Sequence, residues 1–125
     1  MSTRRKVWGA AVGAVALAVL TTTPAYASNP VLTHSWATGK YLDLTDQLCA
    51  KVDSGFNTSA TWATAEIRLN GVTQWSKTDY GNGDNQFVCT ANLSIPEDKA
   101  YVLVVSACTV YANPHCTSAK TDFFS

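Results

Sequence analysis

Charge is scarce in this sequence, and neither sign is in excess. Nine Lys and Arg stand against nine Asp and Glu, so charged side chains make up only 14% of 125 residues. A protein that binds nucleic acid by neutralising phosphates needs a basic surplus, and none exists here. No long apolar run occurs within 28–125, so nothing in that stretch is expected to span a membrane. Proline is nearly absent there too, limited to Pro30, Pro96 and Pro114. Closely spaced cysteine pairs are missing, and the only histidines are His34 and His115. That argues against a structural zinc site. No serine sits in a Gly-x-Ser-x-Gly elbow, which removes the usual sign of a serine hydrolase.

What is present begins with an export signal. Arg4, Arg5 and Lys6 form a basic start, and Val7 to Leu20 are 14 apolar or small residues. Ala25-Tyr26-Ala27 then offers small residues where a signal peptidase accepts them. Cleavage is expected between Ala27 and Ser28, giving residues 1–27 as a helical signal peptide and 28–125 as one secreted domain. Thr3-Arg4-Arg5-Lys6-Val7-Trp8 also resembles a twin-arginine motif. That route exports cargo already folded in a reducing cytoplasm, so the ordinary route suits a disulfide protein better. Residues 28–125 carry six Lys and Arg against nine Asp and Glu, a net charge of −3.

Four cysteines in an exported chain of this size read as a disulfide framework. Three pairings are possible; Cys49–Cys89 with Cys108–Cys116 is favoured, the second closing a hairpin tipped by Ala112-Asn113-Pro114-His115. Leu42, Leu44, Leu48, Ala50 and Val52 share one strand face, which puts Cys49 on the other. Either a bulge near Asp46 turns Cys49 inward, or the bridge lies outside the core.

The hydrophobic pattern has period two. Ala65, Ile67 and Leu69 alternate with Thr64, Glu66 and Arg68, then Asn70-Gly71 leads into Val72-Thr73-Gln74-Trp75. An Asn-Gly pair between alternating runs is a strong hairpin signal, because both residues tolerate positive φ. Two-residue pairing would place Trp75 on the Glu66/Arg68 face, partly exposed. Phe87 to Ile95 alternates as a half-buried strand, and Tyr101–Val105 reads as a central one. With Val31–Trp36, Tyr41–Asp53 and Ala119–Phe124, about seven strands form a small all-β antiparallel sandwich. Trp62 reads as core.

Cys49, Trp62, Phe87 and Cys89 together resemble the pattern of an immunoglobulin domain. There a tryptophan follows the first cysteine by about a dozen residues, and an aromatic stands two before the second. The resemblance implies an immunoglobulin-like sandwich. It brings no functional residue with it, and Phe87 lacks the hydroxyl of a tyrosine corner.

Candidate chemistry is thin. Asp79, Asn82, Asp84 and Asn85 offer oxygen ligands of the kind calcium prefers, although Gly, Asn and Asp also make plain turns. Asp43, Asp46, Asp53 and Glu66 are acids without a marked partner, and Asp43 and Asp46 should face opposite ways on a strand. No cofactor or metal is expected. The leading expectation is a non-catalytic extracellular binding module whose contacts are Trp75, Tyr80 and Tyr111, with an extracellular protein or carbohydrate as partner. Aromatic planes suit that role through large contact area at low entropy cost. The alternatives are an inhibitor of a secreted protease or glycosidase, presenting residues 110–117, and a small secreted hydrolase using Asp79 or Asp84.

Overall fold

A computed structural model describes residues 28–53, 60–81, 84–110 and 115–125. The expected signal peptide, residues 54–59, Asn82, Tyr111 and the Ala112-Asn113-Pro114 part of the expected hairpin tip lie outside the described residues. Among the described residues, no helix is long and apolar enough to cross a membrane.

Among the described residues, eight strands form two antiparallel sheets. They are β1 (Val31–His34), β2 (Ala37–Leu42), β3 (Gln47–Val52), β4 (Thr61–Leu69), β5 (Val72–Tyr80), β6 (Val88–Cys89), β7 (Ala100–Thr109) and β8 (His115–Phe124). The first sheet has the order β1-β2-β3-β6, and the second has β5-β4-β7-β8. They pack face to face, with β2 and β3 lying against β4 and β7.

Period-two alternation builds the core. Ala63, Ala65 and Ile67 of β4 point inward beside Leu103, Val105 and Ala107 of β7, and meet Ala37, Tyr41, Leu48, Ala50 and Val52 of the first sheet. Each large apolar side chain buried this way contributes about 1.5–3 kcal/mol. The sheets approach most tightly at Gly39. A Cβ there would lie 2.5 Å from Val105 Cγ2 and 3.0 Å from the Ala65 Cβ, so only glycine fits. At one end of the core Tyr41, Phe123, Tyr101 and Trp75 form a chain of rings, with centroids 5.2, 5.7 and 6.3 Å apart in turn. Tyr101 donates its hydroxyl to the Pro96 carbonyl, and Tyr41 donates to Asp46. Burial above all, then the bond to Asp46, pushes the Tyr41 phenol well above its ordinary range.

Both disulfides join the expected partners, Cys49 to Cys89 and Cys108 to Cys116. Each links directly opposed residues of neighbouring strands in one sheet. Cys49 is fully buried, yet it belongs to the outer face of the first sheet, across from Lys40. The bridge is therefore outside the core. The inter-sheet staple of an immunoglobulin domain has no counterpart here.

The Asn70-Gly71 hairpin forms with Leu69 opposite Val72, and both loop residues take positive φ, 53° and 78°. Other expectations change. The single strand expected over Tyr41–Asp53 is divided by a 3-10 turn at Asp43–Thr45, closed by Asp46 at φ 51°. That turn leaves Leu44 95% exposed rather than in line with Leu48. The strand expected over Phe87 to Ile95 is reduced to Val88–Cys89. Beyond it Asn92 accepts the Ser94 N–H at 2.7 Å, and this local turn replaces the ladder. Val31–Trp36 likewise ends early, because Ser35 and Trp36 form the β1–β2 turn, with Ser35 at φ 55°.

Candidate functional site

The outer face of the second sheet is read from its register. Residues opposed in an antiparallel ladder share a face, and every second residue returns to it. On β4 the outward residues are Trp62, Thr64, Glu66 and Arg68, because Ala63, Ala65 and Ile67 fill the core. Across the four strands these residues extend into rows.

The first row is Tyr80, Trp62, Cys108 and Cys116. It holds two aromatic side chains and a disulfide in line. Tyr80 is 71% exposed and Trp62 is half-buried. Among the described residues, no cation and no other ring engages either of them. The second row is Thr78, Thr64, Ser106 and Ser118, one hydroxyl per strand. Thr64 and Thr78 hydroxyls lie 3.0 Å apart. Ser76, Glu66, Val104 and Lys120 follow, and then Arg68, Val102 and Asp122. Glu66 is already occupied: Arg68 Nε and Nη2 donate to its Oε1 at 3.0 and 2.8 Å, and Thr73 donates at 2.8 Å.

The face is populated differently from what the sequence implies. Trp75 is not on it. A β-bulge between Ile67 and Arg68 moves Trp75 opposite Ile67, so its indole packs partly buried against the core and meets Tyr101 edge-on. One extra residue in the β5 ladder flips every later side chain to the other face. Trp62 moves the opposite way, from expected core to outer face. The sequence did hold a signal for it: extending the Thr64/Glu66/Arg68 alternation back one step reaches Trp62. Tyr80, expected as a contact, lies exposed on this face. The strands flanking Tyr111 end beside the same row, at Thr109 and His115.

The polar candidates are placed elsewhere. Asp79 is 1% exposed and turned inward at the end of β5, where Oδ2 accepts the Val52 N–H at 2.8 Å. Burial raises its carboxyl above the ordinary range, the charge of Asp84 adds to the rise, and the Val52 N–H opposes it. Asp79 thus joins β5 to β3, while exposed Asp84 accepts the Gln86 N–H. His34 Nε2 lies 3.0 Å from the Thr117 hydroxyl, and His115 is exposed on β8.

Asp43 and Asp46 do not face opposite ways. The 3-10 turn brings them together with Glu97, their carboxylate oxygens within 4.8 Å of one another. Two of the three are already engaged, Asp43 by the Ser125 hydroxyl at 3.1 Å and Asp46 by the Tyr41 hydroxyl. Paired carboxylates hydrolyse glycosides when a substrate sits between them. No pocket opens beside these acids or elsewhere among the described residues. The arrangement that can meet another molecule is the outer face of the second sheet, which offers stacking planes and hydroxyls. Searches of family models, curated proteins and solved structures match nothing to this chain.

Proposed function

We infer that the protein is a secreted, non-catalytic binding module that meets an extracellular protein or carbohydrate through the outer face of its second sheet. The observation carrying this reading is the pairing of exposed Tyr80 with half-buried Trp62 on one outer row beside the Cys108–Cys116 bridge. The Cys108–Cys116 bridge locks β7 to β8 beside Trp62, while Trp62 and Tyr80 are held opposite each other by the β4–β5 ladder, so the aromatic planes meet a partner with little further ordering. Residues 1–27 serve as the signal peptide, and two disulfides suit the oxidising space beyond the membrane. The immunoglobulin-like description belongs to this reading as architecture alone, because Cys49–Cys89 stays within one sheet and Trp62 faces outward.

Two measurements test it. The full chain expressed in a bacterial host should reach the medium beginning at Ser28, its mass four hydrogens below that of the reduced form. Retention of the start at Met1, inside the cell, would overturn the secreted part. On a panel of extracellular polysaccharides and proteins, some retention should be seen, and it should be lost when Trp62 and Tyr80 are both changed to Ala. Leu44→Ala, at the far end of the molecule, should bind as the parent does. The inhibitor reading keeps one supporting observation: Cys108–Cys116 pins the base of the β7–β8 connection, where Val110 is exposed. Stoichiometric inhibition in a titration of secreted proteases and glycosidases would favour it.

A further inference from the structure

We propose that the partner of the second sheet's outer face is a neutral polysaccharide, bound along an extended, repeating surface. This rests on the binding reading above and names the chemistry of its ligand.

Three features carry it. The first is the pairing of two kinds of contact in adjacent rows. A pyranose ring has an apolar C–H face that stacks on an aromatic plane, and a rim of hydroxyls that both donate and accept. Tyr80 and Trp62 supply the planes. Thr78, Thr64, Ser106 and Ser118 supply side chains of the same dual hydrogen-bonding type, one on each strand. Neighbouring strands lie about 4.8 Å apart, and the rows are about 7 Å apart along the strands, so both kinds of contact fall within one or two sugar units.

Charge is the second feature. The ionised residues of the face are Glu66, Arg68, Lys120 and Asp122, two of each sign, so the formal sum is zero. Glu66 and Arg68 are paired with each other, Arg68 Nε and Nη2 both donating to Glu66 Oε1. Neither an anionic polymer nor a charged lipid surface finds a complementary field here, whereas an uncharged polymer pays no penalty for meeting it.

The third feature is shape. Small ligands are held in concave pockets, and the described residues enclose none. Four strands side by side instead present a platform about 15 Å across. A chain or layer of sugars can lie on it and gain from many weak contacts at once. Val104, only 5% exposed, sits in the middle of the platform between Glu66 and Lys120.

The test is depletion from solution by microcrystalline cellulose, chitin and insoluble β-1,3-glucan, using the chain as it is recovered with both disulfides formed. Binding to at least one of these is expected, and it should persist in 0.5 M NaCl to within about twofold because no charge pairing supports it. Tyr80→Ala should weaken it at least tenfold; its side chain is exposed, so the fold is not at risk. Trp62→Ala should do the same. Thr64→Val, which keeps shape and removes the hydroxyl, should weaken it about threefold. Phe87→Ala, on the opposite outer face, should leave binding unchanged.

Retention on none of the three polymers overturns the proposal, as does retention indifferent to Tyr80 and Trp62. Binding to heparin, pectate or an immobilised protein that depends on Tyr80 and Trp62 would keep the binding module and remove the neutral polysaccharide. If neither residue matters to any ligand in either panel, both readings fall together.

Discussion

On the first sheet, Lys40 and Lys51 reach over the ring of Phe87, 4.0 and 5.0 Å from its centre, and Cys49 beneath the same face is fully buried. On the second, Tyr80 stands free beside Trp62, and Cys116 is exposed. Both faces use one device, a disulfide between directly opposed residues. On the first sheet the neighbouring aromatic is already satisfied by the protein's own cations. On the second the aromatics remain available. An aromatic on a strand is thus a contact residue only when its own sheet leaves its plane uncovered, and residue type alone does not tell the two situations apart.

The largest test of this contrast removes the staples. Cys49–Cys89 closes a span of 40 residues and Cys108–Cys116 a span of 8. Loop-closure entropy then gives about 4 kcal/mol for the first and about 2.5 kcal/mol for the second. Cys49→Ala/Cys89→Ala should lower the unfolding free energy in urea by more than Cys108→Ala/Cys116→Ala does. Mild reductant should open Cys108–Cys116 first, since Cys116 is exposed and Cys49 is not. Equal losses, or the opposite order of reduction, would break the distinction between a sheltered staple and a surface one.

How far the sequence reached follows the same local-versus-distant division. The Asn70-Gly71 hairpin was legible because its turn chemistry is contained in two residues. The disulfide pairing was legible because a hairpin allows Cys108 little choice but Cys116. The bulge at Ile67/Arg68 was not, since the adjacent Asn70-Gly71 turn is compatible with an unbroken ladder and neither Ile67, Arg68 nor the opposing Thr73-Gln74-Trp75 marks an extra residue. What the bulge gains is remote: it moves the Trp75 indole against Tyr101, which is 26 residues away in sequence and becomes its neighbour only once β4 has paired with both β5 and β7. Asp43 and Asp46 were misread for a related reason. A strand pattern separates them, but Asp46 adopts φ 51° and receives the Tyr41 hydroxyl, a contact that exists only when Tyr41 is in the core. Of the aromatic side chains, the exposure of Tyr80 was legible, the outward face of Trp62 could have been, and the place of Trp75 depended on a register that only tertiary packing decides.

A second test lies where the two sheets are tied together. Asp79 of β5 accepts the Val52 N–H of β3, and its folded-state pKa is raised chiefly by burial. A raised carboxyl pKa means that ionisation works against the folded state. The group's full contribution is present below the unfolded value near 3.9, and stability falls as pH climbs through the raised folded value before levelling off. Asp79→Asn keeps an oxygen for the Val52 N–H and removes the charge. The variant should be at least as stable as the parent at pH 7, with the difference shrinking toward pH 3 in denaturant titrations. A variant less stable at pH 7 would show that the charged hydrogen bond to Val52 outweighs burial, and would make the tie between the sheets stronger than the geometry implies.

The smallest effect is expected where the contrast between the faces is sharpest. Phe87 is half-buried and lies under two ammonium groups, so Phe87→Ala removes contact area and two cation–π attractions of about 0.5–1 kcal/mol each. Tyr80→Ala removes an exposed ring that nothing in the described structure engages, and should change stability by no more than about 0.5 kcal/mol. The two variants should therefore exchange roles between assays: Phe87→Ala unfolds earlier and binds normally, while Tyr80→Ala unfolds with the parent and binds poorly. If Tyr80→Ala proved as destabilising as Phe87→Ala, Tyr80 would be holding the sheet together, and the second face would be closed in the same sense as the first.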